Sequence, residues 1–212
     1  MRLQWREAFQ NRRFLFSFLI SLAGLLIFAG YLSYFFNFIL LPKPGTQLSD
    51  PVLNMFSPKD WSIEIFVLIY LCPILFLTSN ISKPKIILLL LQSYVVVNFM
   101  RIASLYLFTL EAPNGIIPLT DPFLAVFAYG QSVYVKDLFF SGHISTLFIL
   151  FLIEEKRLLK WFIFGATLIV GILLAWQRVH YTIDMAGAVL FSYLVVQFFR
   201  TINKRLITDK SL

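Results

Sequence analysis

The chain contains two histidines, His143 and His180, and both sit among residues able to support acid–base or nucleophilic chemistry. Asp184 follows His180 by four residues, which puts the pair on one face of a helix. A carboxylate beside an imidazole fixes its tautomer and raises its basicity, the arrangement that orients a base or a nucleophile. Asp137, Ser141 and Gly142 closely precede His143, and Arg178 stands two residues before His180. Arg101 interrupts a long apolar run. Simpler explanations compete: an arginine can snorkel to a membrane interface, and a lone histidine can be a packed polar group.

Composition says what surrounds these residues. Of 212 residues, 59% are hydrophobic and 14% charged, with a mean hydropathy of +0.80. Soluble domains carry about 25% charged residues, and 24 Phe with nine Tyr would leave apolar patches that soluble monomers avoid. The composition excludes a soluble globular enzyme, a disordered protein and a nucleic-acid-binding module. The net charge of +7 is read as topogenic, since basic residues concentrate in cytoplasmic loops. The single cysteine, Cys72, lies in an apolar stretch and excludes an intrachain disulfide.

A transmembrane helix needs about 20 mostly apolar residues, and six stretches are expected to serve. They run over about 14–40, 61–78, 86–110, 138–153, 161–176 and 183–199. The expected fold is an all-α bundle of six transmembrane helices in a single domain, 14–199. Residues 1–13 read as a basic amphipathic segment on the cytoplasmic surface, and 200–212 as a basic cytoplasmic tail. Thirteen of the 18 Lys and Arg fall in segments on one side of such a bundle, while Lys43, Lys59, Lys136 and Arg178 fall on the other. The positive-inside rule then places both termini in the cytoplasm. The loops at 41–60, 111–137 and 177–182 face the exoplasmic or periplasmic side, and the loop at 111–137 is irregular, being rich in Pro and Gly.

With that orientation the ionisable groups within or bordering the spans lie at one level. At about 1.5 Å per residue, Arg101 sits roughly 22 Å up the third span and His143 roughly 7 Å below the outer surface. His180 lies at the mouth of the sixth span, with Asp184 one turn deeper. Ionisable groups at such depth are functional-site candidates by default. Glu64, at the outer end of the second span, reads more simply as a wetted helix-end carboxylate.

Three blocks carry a more specific signal: Arg101-Ile102-Ala103-Ser104, then Asp137-Leu138-Phe139-Phe140-Ser141-Gly142-His143, then His180-Tyr181-Thr182-Ile183-Asp184. In this order the chain resembles the sphingomyelin synthase family, a branch of the type 2 phosphatidic acid phosphatase superfamily. The resemblance covers roughly residues 92–199. Phe140 stands where the broader phosphatases usually have Pro, and their Lys-x6-Arg-Pro motif is absent, which points toward the synthase branch. Val135-Lys136 replaces the Cys-Gly pair of animal synthases.

The resemblance implies a phospho-histidine intermediate formed at the outer face. His180 attacks phosphorus with Asp184 as its partner, and His143 protonates the leaving lipid alcohol. Catalysis of phosphoryl transfer is mostly positioning and charge stabilisation. Arg101, Arg178 and the Ser141 and Gly142 backbone N–H groups are the phosphate-binding candidates. Asp137, Tyr181 and Glu64 are candidates for supporting roles. A histidine pair calls for no metal, and no cofactor is expected. The partners implied are a membrane phospholipid donor, a lipid alcohol acceptor such as ceramide or diacylglycerol, and the bilayer itself, with no nucleic acid. The expected location is a multi-pass protein of the bacterial inner membrane. Two alternatives stay open: a lipid phosphatase or phospholipase C-type hydrolase using the same histidines, and a lipid-binding carrier, which would need no intact His–Asp pair. Oligomeric state cannot be read from the sequence.

The orientation has a direct check. Cysteines introduced at Ser132 and Ser211 are expected to react with impermeant reagents from opposite membrane faces, Ser132 from outside. Labelling of both from one face would overturn the both-ends-in topology.

Overall fold

The computed structural model describes residues 2–55, 57–121 and 135–208. Seven α-helices and no strands occur among them: α1 Arg2–Gln10, α2 Arg12–Tyr34, α3 Ser62–Asn80, α4 Pro84–Leu107, α5 Gly142–Ile153, α6 Arg157–Trp176 and α7 Thr182–Thr208. Five of these are long and apolar enough to cross a membrane: α2 with its π-helical continuation Phe35–Leu40, α3, α4, α6 and α7. Ser132 and Ser211, named above for labelling, lie outside the described residues, as do Pro122 and Gly130 of the long loop.

Local chemistry sets the helix boundaries. The Asn11 side chain accepts from the Arg13 and Phe14 N–H groups at 2.9 and 3.2 Å, an N-cap that separates α1 from α2. The expected surface segment 1–13 is therefore a nine-residue helix, and Arg12 and Arg13 belong to the first turn of α2. Pro84 opens α4, where its missing N–H costs nothing. The last turn of α6 closes with Val179 N–H on the Leu174 carbonyl and Arg178 N–H on the Ala175 carbonyl. This is the Schellman arrangement, with Arg178 in the left-handed position that glycine usually takes.

The short helix α5 holds the centre, packing against α3, α4, α6 and α7. Leu147 and Ile149 on it are fully buried. The fourth span, expected as a helix from residue 138, begins instead at Gly142, because Ser141 caps it: the Ser141 Oγ accepts from Ile144 N–H at 3.4 Å. Twelve residues rise only about 18 Å, short of a hydrocarbon core about 30 Å thick. Leu138, Phe140 and Ser141, just before α5, are non-helical yet almost wholly buried. Irregular backbone is tolerated at such depth where protein, and not lipid, surrounds it.

The two ends of the bundle are stapled differently. At the end bearing the histidines, Thr46 and Leu110 form an isolated β-bridge: Thr46 N–H donates to the Thr109 carbonyl and Glu111 N–H to the Thr46 carbonyl, both at 3.0 Å. Gly45 allows this approach, since a Cβ there would meet the Leu110 carbonyl carbon at 2.8 Å. The Glu111 carboxylate accepts from Gly45 N–H at 2.9 Å and pairs with Lys136 at 2.7 Å. The Lys136 hydrogen bond holds the Glu111 carboxyl below its usual range against a weaker opposing effect of burial. At the opposite end, Asn80 Nδ2 donates to Glu154 Oε2 at 2.7 Å, and Glu154 Oε1 accepts from Glu155 and Lys156 N–H. The expected tail from residue 200 is helical to Thr208, with Arg200 donating to the Leu152 carbonyl and Asn203 Nδ2 to Gln92 Oε1 at 2.9 Å.

Glu154 is buried and serves three donors, so Glu154→Ala strands them. A loss of about 1–3 kcal/mol is expected, measured by thermal unfolding in detergent. Glu154→Gln, whose carbonyl still accepts, should recover part of it.

Candidate active site

The N-termini of α5 and α7 meet, and they bring the two histidines together. The His143 and His180 ring centroids are 6.0 Å apart with an interplanar angle of 65°. Asp184, in the first turn of α7, reaches back one turn: its Oδ2 lies 3.3 Å from His180 Nδ1 and accepts from Tyr181 N–H at 2.9 Å. Its backbone carbonyl accepts from Ser141 N–H at 3.1 Å. Asp184 is fully buried and His180 is 1% exposed. With Nδ1 turned to the carboxylate, Nε2 is the ring atom left for chemistry.

Arg101 enters from α4 and is itself almost wholly buried. Its Nε donates to the Phe140 carbonyl at 2.9 Å, and its Nη2 pairs with Asp137. The guanidinium lies against the start of α5: a Cβ on Gly142 would fall 3.0 Å from Arg101 Cζ and 3.1 Å from Nε. A side chain at 142 would thus crowd the guanidinium. Ser104 adds a second tie from α4, its Oγ donating to the Phe139 carbonyl at 2.9 Å.

The expected phosphate-binding groups divide. The Ser141 N–H is occupied by Asp184, so it does not point free into the site; the Gly142 N–H has no partner among the described residues. Arg101 keeps Nη1 beyond its two hydrogen bonds. Arg178 takes a φ of 58°, which for a residue with a Cβ costs about 1–2 kcal/mol. Its Nη1 donates to the Asn114 carbonyl at 2.7 Å. It lines a polar cavity of about 280 Å³ with Asp50, Asn54, Asn114 and Tyr181, a set containing neither histidine. Tyr181 is buried beneath that cavity as a strut, its Oη accepting from Leu48 N–H at 3.2 Å and donating to the Glu111 carbonyl at 3.0 Å. Glu64 is exposed on the first turn of α3, and no hydrogen bond or ion pair joins it to this cluster.

Three contributors were not anticipated from sequence. Phe66 of α3 sets its ring edge-on to His143, with centroids 6.1 Å apart. The Phe140 carbonyl anchors Arg101. Asp50 caps α7 from a distant loop, accepting from Thr182 N–H at 2.7 Å. Burial pushes the Asp50 carboxyl up, but hydrogen bonds from Thr182 and Val52 outweigh it and hold it below its ordinary value. Its closeness to the pattern His-Tyr-Thr-x-Asp is purely spatial, and no local signal marks it. Nδ1 of His143 is buried without a hydrogen-bond partner among the described residues.

The Gly142 contact predicts a measurable cost. Gly142→Ala forces the guanidinium aside and should lower stability by about 1–3 kcal/mol, although alanine is the better helix former. Gly165→Ala, at a position of α6 with open space around its would-be Cβ, is the control and should be neutral or stabilising. Equal effects in thermal unfolding would show that Arg101 does not depend on the glycine.

No curated protein matches the chain. Residues 136–202 match the family described as PAP2 superfamily C-terminal. That stretch begins beside Asp137 and contains His143, His180 and Asp184. The match supports the type 2 phosphatidic acid phosphatase superfamily for this part of the chain, and with it a lipid phosphatase or phosphotransferase type of function.

Proposed function

We propose that this protein is an integral-membrane lipid phosphotransferase that moves a phospho-head-group from a glycerophospholipid to a lipid alcohol, ceramide or diacylglycerol, through a phospho-histidine. The reading includes six membrane crossings, α5 counting as the short one, with both termini cytoplasmic and the histidines on the exoplasmic or periplasmic side of a bacterial inner membrane. The observation that carries it is the pair of imidazoles 6.0 Å apart, one of them held by a buried carboxylate. That spacing lets one phosphodiester meet both rings.

In the first half-reaction His180 Nε2 attacks phosphorus and the bond from phosphorus to the diacylglycerol oxygen breaks. Protonated His143 gives its proton to that oxygen. Asp184 keeps the Nδ1 proton in place and balances the charge gained by the His180 ring. In the second half, neutral His143 takes the acceptor's hydroxyl proton, the acceptor oxygen attacks phosphorus, and the bond to His180 breaks. Arg101 Nη1 and the Gly142 N–H are the donors placed to steady the phosphoryl oxygens, while Asp137 orients Arg101. Arg178 then serves the head group in the outer cavity, and Glu64 stands outside the mechanism.

Apolar walls around His143, Phe66 among them, favour a lipid hydroxyl over water in the second half. Purified protein given head-group-labelled phospholipid is expected to form a new labelled lipid only when ceramide or diacylglycerol is added. Release of free phosphate or phosphocholine without acceptor would instead identify a hydrolase. His180→Ala should abolish both turnover and any acid-labile phospho-enzyme, and retained activity would sink the mechanism. His143→Ala should slow the reaction by about 10²–10⁴-fold, with partial recovery on a donor bearing a reactive leaving group. Absence of that recovery would remove His143 from the acid role.

A further inference from the structure

The polar cavity beside Arg178, of about 280 Å³, adjoins the reacting histidine through one turn of backbone. Consecutive N–H groups at the start of α7 serve two carboxylates: Tyr181 N–H goes to Asp184 Oδ2 at 2.9 Å, and Thr182 N–H to Asp50 Oδ2 at 2.7 Å. Asp184 holds the His180 ring, whereas Asp50 lines the cavity. A larger cavity, of about 570 Å³, lies at the opposite end of the bundle beneath α1, away from the histidines.

The wall of the smaller cavity carries one fixed charge of each sign. Asp50 is pinned further through its Oδ1, which accepts from Val52 N–H at 3.0 Å and from the Thr182 hydroxyl at 3.2 Å. Its carboxyl lies below its ordinary value, so it is ionised at neutral pH. Arg178 is set by its left-handed backbone, φ 58°, and by its bond to the Asn114 carbonyl. Gly115 allows that approach, since a Cβ there would fall 3.2 Å from Arg178 Nη1. Backbone strain of this kind persists where the surroundings fix it, and it clusters at binding sites. The neutral part of the wall offers acceptors. Gln47 spends its Nε2 on the Ala112 carbonyl at 3.0 Å and on Asn114 Oδ1 at 2.9 Å, which leaves its Oε1 to accept. Asn54 adds a second amide.

This chemistry separates the phospholipid head groups. A primary ammonium brings three N–H donors to the carboxylate and the amide oxygens. A trimethylammonium brings none and is held by open aromatic faces instead. The ring in this wall belongs to Tyr181, which is 1% exposed and has its hydroxyl engaged by Leu48 and Glu111. A serine head group would set a second carboxylate against Asp50, and glycerol would leave the charge of Asp50 unused.

Building on the phosphotransferase reading, we infer that Asp50 is a specificity-determining residue: it binds the ammonium of a phosphoethanolamine head group while the phosphorus lies at His180. The donor lipid is then one with a primary amine.

The test gives purified full-length protein donors of matched acyl chains that differ only in N-methylation: phosphatidylethanolamine, its monomethyl and dimethyl forms, and phosphatidylcholine. The kcat/KM should fall with each methyl group, by about 10–100-fold over the series, the worth of a hydrogen bond to a charged group. Asp50→Asn keeps an oxygen for the Thr182 N–H, since asparagine caps a helix about as well as aspartate, but removes the charge. It should bring the ratio between the two end members close to one. An equal or higher kcat/KM for phosphatidylcholine in the wild type overturns the inference, as does a folded Asp50→Asn protein with the wild-type ratio. Retention of the same lipids in native mass spectrometry, in the His180→Ala background, reads selectivity without turnover. A preference for phosphatidylethanolamine that Asp50→Asn abolishes upholds the head-group site even where no donor is turned over, an outcome that counts against the phosphotransferase reading alone. Equal retention of phosphatidylethanolamine and phosphatidylcholine overturns the site. Should Asp50→Asn fail to fold, the methylation series in the wild type decides.

Discussion

Asp184 meets three demands with one side chain and one carbonyl. Its carboxylate holds His180 and the Tyr181 N–H, and its carbonyl takes the Ser141 N–H that leads into α5. The residue is fully buried, so each of these bonds forms where water cannot compete and where an unpartnered group would be costly. The consequence is that the N-termini of α5 and α7 cannot drift apart without stranding polar groups in the core. The separation of the two histidines is therefore set by backbone and carboxylate hydrogen bonds, and not only by the packing of apolar side chains.

The shortness of α5 follows from the same constraint. α5 packs against α3, α4, α6 and α7, and Leu138, Phe140 and Ser141 can leave helical geometry because protein covers them. The freed backbone is put to use. The Phe140 carbonyl receives Arg101, the Phe139 carbonyl receives Ser104, and the absence of a side chain at Gly142 gives the guanidinium its place. A regular helix beginning at residue 138 would have pointed these carbonyls along its own axis and left Arg101 without its anchor.

The polar residues of the chain thus separate into two groups at the two ends of the bundle. One end gathers Glu111, Lys136, Asp50, Arg178 and the histidine cluster, with Glu111 joining three loop segments through Gly45, Thr46 and Lys136. The other gathers Glu154, Asn80, Arg200 and the larger cavity beneath α1. Between them the helices are mostly apolar, so the small charged fraction of this chain is concentrated toward the two ends.

Much of this was legible in the amino-acid sequence because it depends on local pattern. Long apolar runs specify helices wherever they fall, so α2, α3, α4, α6 and α7 lie close to their expected positions; the expected shared helix face of His180 and Asp184 is not what joins them, since His180 lies two residues before α7 begins and the two meet across that helix's N-terminus. Glu64 lies exposed in the first turn of α3. What depended on partners distant in the chain was not legible. The extension of α7 through Arg200, the capping of α7 by Asp50 and the edge of Phe66 on His143 are set by groups dozens of residues away, and a contact across such a distance leaves no periodicity to detect. The same reason explains Ser141 and Arg178. Sequence placed both beside a histidine, but the tertiary structure decided that the Ser141 N–H is spent on Asp184 and that Arg178 lines a cavity containing neither histidine. Residue type and spacing determined which groups could act; only the packing of α5 against α7 decided which of them face one another.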